Sequence, residues 1–344
     1  MMEQRQKKAK YRKAKRNVTM LNIVLSITLA VAVFFSAFYS VGIYLFGETR
    51  LGHISDDHEE LGISSDVTNN LPKEIVNIAL FGLDSRDPNA TNREEALKGC
   101  RSDTTIVVSI NTVDNTIKLT SILRDSWVPI KTKSGGVTYN KINAAYSMGG
   151  AQRAIHTLNN NFGLNIKDYV SISLYQLWEV IDIMGGIDIT ITEWERNKIN
   201  YFGKQEGFNV TPVEKSGFVH LDGGQAMCYA RIRNDSEEVR VLRQQKVISA
   251  LFEKAKSLPK TSYPSMLSAV LSNVETSLTF DKIFSYAPML AIADLHIQST
   301  SVPGDEVVAK GGVFEDTRGG WVWKYDLNKA KDYIYEWIYG IKVE

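Results

Sequence analysis

The chain has 344 residues, 44% of them hydrophobic, so it can bury a substantial core in one large domain or two small ones. Its net charge of +1 hides an uneven distribution: residues 1–16 hold eight basic residues and one acidic residue, and removing them from the 40 basic and 39 acidic residues leaves 32 basic and 38 acidic. The remainder is mildly acidic, which disfavours nonspecific nucleic-acid binding, and we predict no nucleic-acid partner.

An apolar run near the N-terminus predicts the location of the protein. Residues 17–47 carry no charge, and about 20 apolar residues span a bilayer, whereas a signal peptide has a shorter apolar core of roughly 7–15. Basic flanks stay in the cytoplasm, so we predict a cell-membrane protein with a single pass and an outward-facing body. The predicted segments are a basic cytoplasmic tail at 1–16, a transmembrane anchor at 17–47, an extracellular stalk at 48–70 and an extracellular folded domain at 71–344. The tail could bind nucleic acid, but beside an anchor a topogenic, lipid-facing role is simpler.

The elements predicted along the rest of the chain alternate between strands and helices. Strands are predicted at Ile75–Leu83, 104–110 and Thr116–Ile122, the last two as a hairpin around Asp114 and Asn115. Next come a helix at 142–162, a strand at 169–174, a helix at 175–184 and a strand at 187–192. Helices follow at 221–229, 238–257, 265–274 and 281–293, then a strand at 297–302 and a helix at 327–338. This order predicts an α/β domain with a mixed central sheet flanked by helices on both faces, preceded by one transmembrane helix.

Three segments at the ends of predicted strands each carry an acidic and a basic residue. They are G-L-D-S-R at residues 82–86, R-S-D-T at 101–104 and L-R-D-S at 123–126. Single Asp–Arg pairs on loops are usually solvated and contribute little stability, but three pairs at strand ends favour a ligand site. Carboxylates bind hard divalent cations, and arginine forks bind phosphate oxygens. The set therefore suits a polyanion, most simply a pyrophosphate.

A second basic group follows in Y-A-R-I-R at residues 229–233 and R-V-L-R-Q at 240–244. Arg231 and Arg233 lie on one side of the chain if the backbone is extended. Arg240 and Gln244 are one helical turn apart and share a helix face. Together with the acidic groups, these residues strengthen the prediction of an anion site.

Three further residues near these motifs have roles that the spacing leaves open. Arg243 is offset from Arg240 and could be structural, for example by pairing with Glu237 or Glu238. Cys100 and Cys228 each adjoin an arginine motif, and an outward-facing domain could oxidise them to a disulfide. A buried cysteine can equally remain reduced, so both outcomes stay open.

As an ordered set, the motifs resemble those of the LytR–CpsA–Psr family of Gram-positive cell-envelope proteins. The resembling segments, across about residues 75–257, also include K-I-N-A-A-Y-S-M-G-G, I-D-I-M-G-G-I-D-I and L-D-G-G-Q-A-M-C-Y-A-R-I-R. The resemblance implies a phosphotransferase that moves a glycopolymer from an undecaprenyl-pyrophosphate carrier to peptidoglycan. The polymer could be capsule, teichoic acid or another wall polysaccharide, because the arginines contact only the phosphates of the carrier.

The resemblance also implies roles for particular residues. Asp84 and Asp103 would hold Mg²⁺ or Mn²⁺ or act on the acceptor. The implied catalytic residues are Asp84, Asp103, Arg101 and Arg124, and the implied pyrophosphate-binding residues are Arg86, Arg231, Arg233, Arg240 and Gln244. An apolar groove would hold the lipid tail, and the predicted helices at 142–162 and 175–184 are our candidates for its walls, although both could instead simply form core. Glu237 departs from the family pattern, which usually has aspartate there.

Two other functions stay open at this point. Water could replace the acceptor hydroxyl, which would make the protein a polyprenyl-pyrophosphate hydrolase. The domain could instead only bind the lipid, as a membrane-bound regulatory protein without catalysis. A G-x-S-x-G or Walker motif is absent from the sequence, and the five histidines show no metal-ligand spacing.

Overall fold

The computed structural model describes residues 50–84, 100–205, 210–233, 235–279, 281–283, 285–286, 296–317 and 319–342. The predicted tail, the predicted anchor, Arg86 and most of the predicted helix at 281–293 lie outside these ranges, although residues 281–283 and 285–286 are helical. Within the described ranges, every helix is too short or too polar to cross a bilayer.

The described elements follow the predicted order, with some additions. The strands are β1 Arg50–Leu51, β2 Ile75–Leu83, β3 Ser102–Asn111, β4 Thr116–Ile122, β5 Trp127–Lys131, β6 Val137–Lys141, β7 Asp168–Ser173, β8 Ile187–Ile191, β9 Gly217–Leu221, β10 Glu275–Thr276, β11 His296–Val302, β12 Lys310–Val313 and β13 Trp321–Lys324. The helices are α1 Ser65–Asn70, α2 Ala144–Phe162, α3 Leu174–Ile183, α4 Glu193–Gln205, α5 Gly223–Ala230, α6 Glu237–Ser257, α7 Tyr263–Ser272 and α8 Leu327–Tyr339.

A mixed sheet lies at the centre of the domain. Its strands run in the order β1, β10, β7, β2, β3, β4 and β11. The β2–β3, β3–β4 and β7–β10 pairs are antiparallel, and the other neighbours are parallel. The predicted hairpin turns at Asn115, which has a φ of 60°. Separate two-stranded hairpins form from β5 and β6, β8 and β9, and β12 and β13.

Helices cover both faces of the sheet. Phe81 and Leu83 of β2 pack with α2 and α8 in one apolar cluster. Leu80 of β2 and Ile106 of β3 face the other way and pack against Ile248 of α6. Strands buried on both faces form continuous apolar runs, which explains the sequence of β2. The prediction of a mixed sheet with helices on both faces is confirmed.

Candidate active site

The ends of β2 and β3 bring the two predicted catalytic aspartates to one cavity. The pairing of these strands shifts register between Gly82 and Leu83, and Asp84 N donates a hydrogen bond to the Arg101 carbonyl at 3.4 Å. A β-carbon at Gly82 would lie 2.8 Å from Thr104 Cβ, so only glycine permits this close approach. Asp84 and Asp103 both line the cavity that opens at this edge.

Asp103 is held by three donors from different parts of the chain. Arg124 Nη1, at the end of β4, lies 3.0 Å from Asp103 Oδ2, and Arg233 Nη2 lies 3.5 Å from the same oxygen. Asn143 Nδ2 lies 3.5 Å from Asp103 Oδ1. The carboxylate is therefore fixed in orientation at the cavity mouth and neutralised by guanidinium groups.

Glu237 lies between two arginines of the predicted site, Arg124 and Arg240. Its Oε1 is 3.2 Å from Arg124 Nε and also pairs with Arg240 Nη2. The Arg240 side chain is only 4% exposed, and its Nη2 donates to the Asp103 carbonyl at 3.5 Å. Burial raises the pKa of Glu237 and lowers that of Arg240, while the attraction between their charges opposes both shifts. A diphosphate would compete with this carboxylate for the same two guanidiniums.

The four predicted pyrophosphate-binding residues that the structure describes meet in this cavity. Arg231 and Arg233 follow α5, Arg240 and Gln244 lie one turn apart on α6, and all four line the cavity. Thr104 Oγ1 donates to Gln244 Oε1 at 3.0 Å, which fixes the amide against β3. The second arginine group and the two aspartates thus belong to one site.

Two predicted site residues are not placed in the cavity by the described structure. Arg101 meets Asp84 through its backbone, but its side chain is exposed to solvent. Arg86 lies outside the described residues. Their roles stay predictions.

The whole cavity has a volume of about 370 Å³, and behind its charged mouth the lining is apolar. Its walls come from β7, α3, α6 and α7. The apolar lining includes Val170, Ile172, Leu174, Leu177, Val180, Val247, Ile248, Leu251, Phe252, Met266, Leu267, Val270 and Val274. The predicted wall at 175–184 agrees with this lining. The predicted wall at 142–162 is wrong, because α2 packs on the opposite face of the sheet with α8.

The sequence matches the model of the LytR_cpsA_psr family over residues 41–334. The chain belongs to the LytR–CpsA–Psr family. It is 35% identical over 213 residues to the polyisoprenyl-teichoic acid–peptidoglycan teichoic acid transferase TagU of Enterococcus faecalis, a match covering 61% of this chain and 63% of that protein. It is 27% identical to TagU of Bacillus anthracis over 83% of this chain and 88% of that one.

A solved structure supports the fold. The LytR-CPS2A-psr family protein YwtF (TagT), with bound octaprenyl pyrophosphate lipid, superposes with a TM-score of 0.57 at 20% identity. The superposition covers 78% of this chain and 92% of that chain. At 20% identity, this similarity shows that the two proteins share a fold.

Arg243 of this LytR–CpsA–Psr protein has a structural role, but with other partners than those predicted. It pairs with neither Glu237 nor Glu238. Its Nε lies 2.9 Å from Glu195 Oε1 of α4, and its Nη1 lies 3.0 Å from Asp235 Oδ1. The side chain is only 4% exposed. Arg243 therefore connects α6 to α4 and to the segment that precedes α6. These contacts fix the position of α6, which carries Arg240.

The two cysteines of this family member are not joined by a disulfide. Cys228 lies fully buried in α5, within an apolar cluster that includes Met227 and Tyr229. Cys100 is partly exposed, and its Sγ lies 4.0 Å from the Asp84 carbonyl. Burial and the nearby Asp84 charge raise the pKa of the Cys100 thiol, which disfavours the reactive thiolate.

The sequence did not predict some residues that line or contact the site. Asn143 contacts Asp103 from a segment predicted only as the start of a helix. Met266, Leu267 and Val270 of α7 form part of the cavity wall. A signal existed for α7, because its apolar residues occupy more than one helix face.

Proposed function

We propose that this protein transfers a wall glycopolymer, with teichoic acid as the leading candidate, from an undecaprenyl-pyrophosphate carrier to peptidoglycan. One observation carries the proposal: a single cavity combines an apolar body with a mouth of arginines and carboxylates. A polyprenyl diphosphate has the same two parts. The transferase names of the relatives and the octaprenyl pyrophosphate bound by a structural neighbour support this choice.

The chemistry would be a phosphoryl transfer. The lipid tail would occupy the apolar body, and the diphosphate would lie against Arg231, Arg233 and Arg240. A peptidoglycan hydroxyl would attack the phosphorus next to the glycan, forming a phosphodiester and releasing polyprenyl phosphate. Guanidiniums at the mouth would neutralise charge on the phosphoryl oxygens. Asp103, already oriented by Arg124, is our candidate for the base that accepts the hydroxyl proton.

We propose that a divalent cation binds at the mouth of the cavity. Mg²⁺ usually takes one or two protein carboxylates and completes its shell with water and phosphate oxygens, so Asp84 and Asp103 would suffice. Within the described ranges, groups of three or more His, Cys, Asp or Glu suited to a metal are absent. When bound, Mg²⁺ or Mn²⁺ would neutralise diphosphate charge. Donor affinity measured with EDTA and then with restored Mg²⁺ tests this: equal affinity in both conditions would exclude a binding role.

The predicted anchor and topology complete the proposal. A single pass at 17–47 would hold the domain outside the cell, beside the membrane that contains the lipid carrier and facing peptidoglycan. Capsule or another wall polysaccharide remains an alternative polymer for the same site. Analysis of the wall glycans lost on deletion of the gene identifies the polymer directly.

Replacing Arg240 with alanine should weaken binding of the diphosphate donor. We expect a loss of about 1.5–3 kcal/mol, the scale of a hydrogen bond to a charged group. Arg240→Lys should recover only part of the affinity, because an ammonium group does not reproduce the planar guanidinium fork. Titration with a polyprenyl diphosphate measures the effect. Arg196→Ala, which alters an exposed pair with Glu193, is the control; equal affinities in all variants would remove Arg240 from the site.

Filling the apolar cavity should block the lipid tail without disturbing the mouth. Val270 of α7 lines the cavity and is not fully buried. We expect Val270→Trp to reduce affinity for a long polyprenyl diphosphate at least about tenfold, since each 1.4 kcal/mol of lost contact is a factor of ten. Affinity for inorganic pyrophosphate should be unchanged. Undiminished polyprenyl binding by a folded Val270→Trp protein would show that the tail lies elsewhere.

A further inference from the structure

The hairpin of β12 and β13 carries two tryptophans on one of its faces. Its register pairs Val313 with Trp321 and Gly311 with Trp323, and side chains two positions apart share a face. The indole rings meet edge to face, with centroids 4.7 Å apart. Trp321 remains 43% exposed, whereas Val322, on the opposite face, is fully buried. The hairpin is anchored through one face and presents indole surface on the other.

Glycine at position 311 makes this arrangement possible. A β-carbon there would lie 2.6 Å from Trp321 Cζ2 and 2.8 Å from Trp323 Cζ3, so any other residue would displace both rings. The indoles therefore lie directly over the backbone of β12. Rings held in this way lose little freedom when a ligand stacks on them, which favours binding.

The backbone connects this tryptophan pair to the active-site edge. Trp323 N donates to the Asp125 carbonyl at 2.9 Å, and Trp323 forms a β-bridge with Ser126. Asp125 follows Arg124, which contacts Asp103. Trp321 lies two residues before Trp323 in β13, which is about 7 Å along the strand. The tryptophan pair therefore lies beside the segment that carries Arg124, the residue that contacts Asp103.

The pair lies apart from the lipid cavity. β13 contacts β5, and Val128 and Ile130 of β5 pack in the cluster formed with α2 and α8. The cavity is walled by α3, α6 and α7 on the other side of the sheet. Asp103 stands between these two regions, since it lines the cavity and also contacts Arg124.

We propose that Trp321 and Trp323 form a stacking platform for the glycan strand that accepts the polymer. The assignment rests on the proposed transferase function. Because the lipid-linked donor would occupy the cavity, the acceptor must reach Asp103 from another side, and the tryptophan pair adjoins that approach. A pyranose ring has an apolar C–H face and a polar rim. Its C–H face matches the exposed indole of Trp321, and its polar rim can stay hydrated while the ring is stacked.

Other occupants fit this surface less well. A specific protein interface buries about 800 Å² on each partner around an apolar core, and this hairpin offers mainly Trp321 and Val313 as exposed apolar side chains. A polyprenyl tail would meet few exposed apolar side chains here, whereas the cavity offers it an apolar lining on several sides. A saccharide needs little more than one or two ring faces.

The test uses the full-length protein in detergent, a polyprenyl-diphosphate-linked glycan as donor, and a soluble tetrasaccharide of alternating N-acetylglucosamine and N-acetylmuramic acid as acceptor. In Trp321→Ala we expect the acceptor KM to rise about tenfold, the scale of a lost aromatic stacking surface. The donor Kd and kcat should stay at wild-type values. The acceptor KM of Trp321→Phe should lie between those of wild type and Trp321→Ala, because phenylalanine retains a smaller aromatic ring. Phe218→Ala is the matched control, since Phe218 is 77% exposed on another hairpin, and it should behave as wild type.

Two results would overturn the platform: a wild-type acceptor KM in Trp321→Ala, or parallel losses of donor and acceptor affinity in both Trp321 variants. The second result would mean that the indole only supports the fold. Tetrasaccharide binding is also measured without donor, through quenching of tryptophan fluorescence. If wild type binds the tetrasaccharide and Trp321→Ala does not, but neither transfers polymer, the proposed function fails while the platform stands.

Discussion

Asp103→Asn should lose transfer activity while keeping the donor. We expect the rate of polymer transfer at saturating donor to fall about 10²–10⁴-fold, the range for removal of a general base. Asparagine has nearly the same volume and can still contact Arg124 and Asn143, so the site should keep its shape. Donor affinity measured in EDTA, where loss of a metal ligand does not contribute, should hold or increase, because a negative charge beside the diphosphate is removed. Single-turnover transfer and donor titration separate the two effects.

The control for this variant is Asp188→Asn. Asp188 pairs with His220 on the exposed surface of the β8–β9 hairpin, away from the cavity. Its replacement should leave both transfer and donor binding unchanged. Transfer at the wild-type rate by Asp103→Asn would remove Asp103 from the chemistry, and the mechanism would then need another proton acceptor.

Arg243→Ala should have the largest effect on stability. The substitution leaves Glu195 buried without its guanidinium partner, and breaking one side of a buried ion pair costs about 3–5 kcal/mol. Burial raises the pKa of Glu195, but the Thr192 amide and Arg243 outweigh it and keep this pKa below its ordinary value. Denaturant unfolding of the full chain in detergent measures the loss. Donor binding should weaken as well, because Arg243 ties α6 to α4.

Two controls distinguish a structural Arg243 from a ligand-binding one. Arg196→Ala alters an exposed pair on α4 and should change stability by less than about 1 kcal/mol. Arg240→Ala should weaken donor binding more than it lowers stability, the reverse of Arg243→Ala. A stability close to wild type in Arg243→Ala would mean that the Glu195 contact contributes little.

The core of the fold could be read from the sequence because its strands are buried on both faces. The bounds of β2 and β4 agree with the predicted ranges to the residue, since β2 is a largely apolar run and β4 is a β-rich segment that starts directly after the Asp114–Asn115 turn. Helix α4 was missed for the opposite reason. Only Glu195, Ile199 and Gly203 of this helix are buried, so its sequence is largely polar and lacks a wide apolar face.

Most residues that line the mouth of the cavity were predictable from the sequence, but their partners were not. Short motifs at strand ends predicted Asp84 and Asp103, because sheet topology brings such ends together. The spacing of the second basic group predicted Arg231, Arg233 and Arg240. Arg240 and Arg243 lie three residues apart on the same helix. Their different roles depend on Glu195, which is 48 positions from Arg243 in the chain. Contacts of this kind are tertiary and leave no local pattern.

The wall of the cavity shows the same limit. Helices at 142–162 and 175–184 both carry excess apolar residues, yet only the second lines the cavity. Which face of the sheet each helix covers is decided by the crossover connections and not by the apolar content of the helix.

The most direct test of the central claim is reconstituted turnover. The purified full-length protein would be incubated with Mg²⁺, polyprenyl-diphosphate-linked teichoic acid and peptidoglycan, and the glycan and lipid products would be separated. The account predicts polymer joined to peptidoglycan through a phosphodiester, with one polyprenyl phosphate released per polymer attached. Free glycan phosphate in the presence of abundant acceptor would identify a hydrolase instead, and stable donor binding without any product would identify a lipid-binding protein; either result would contradict the account.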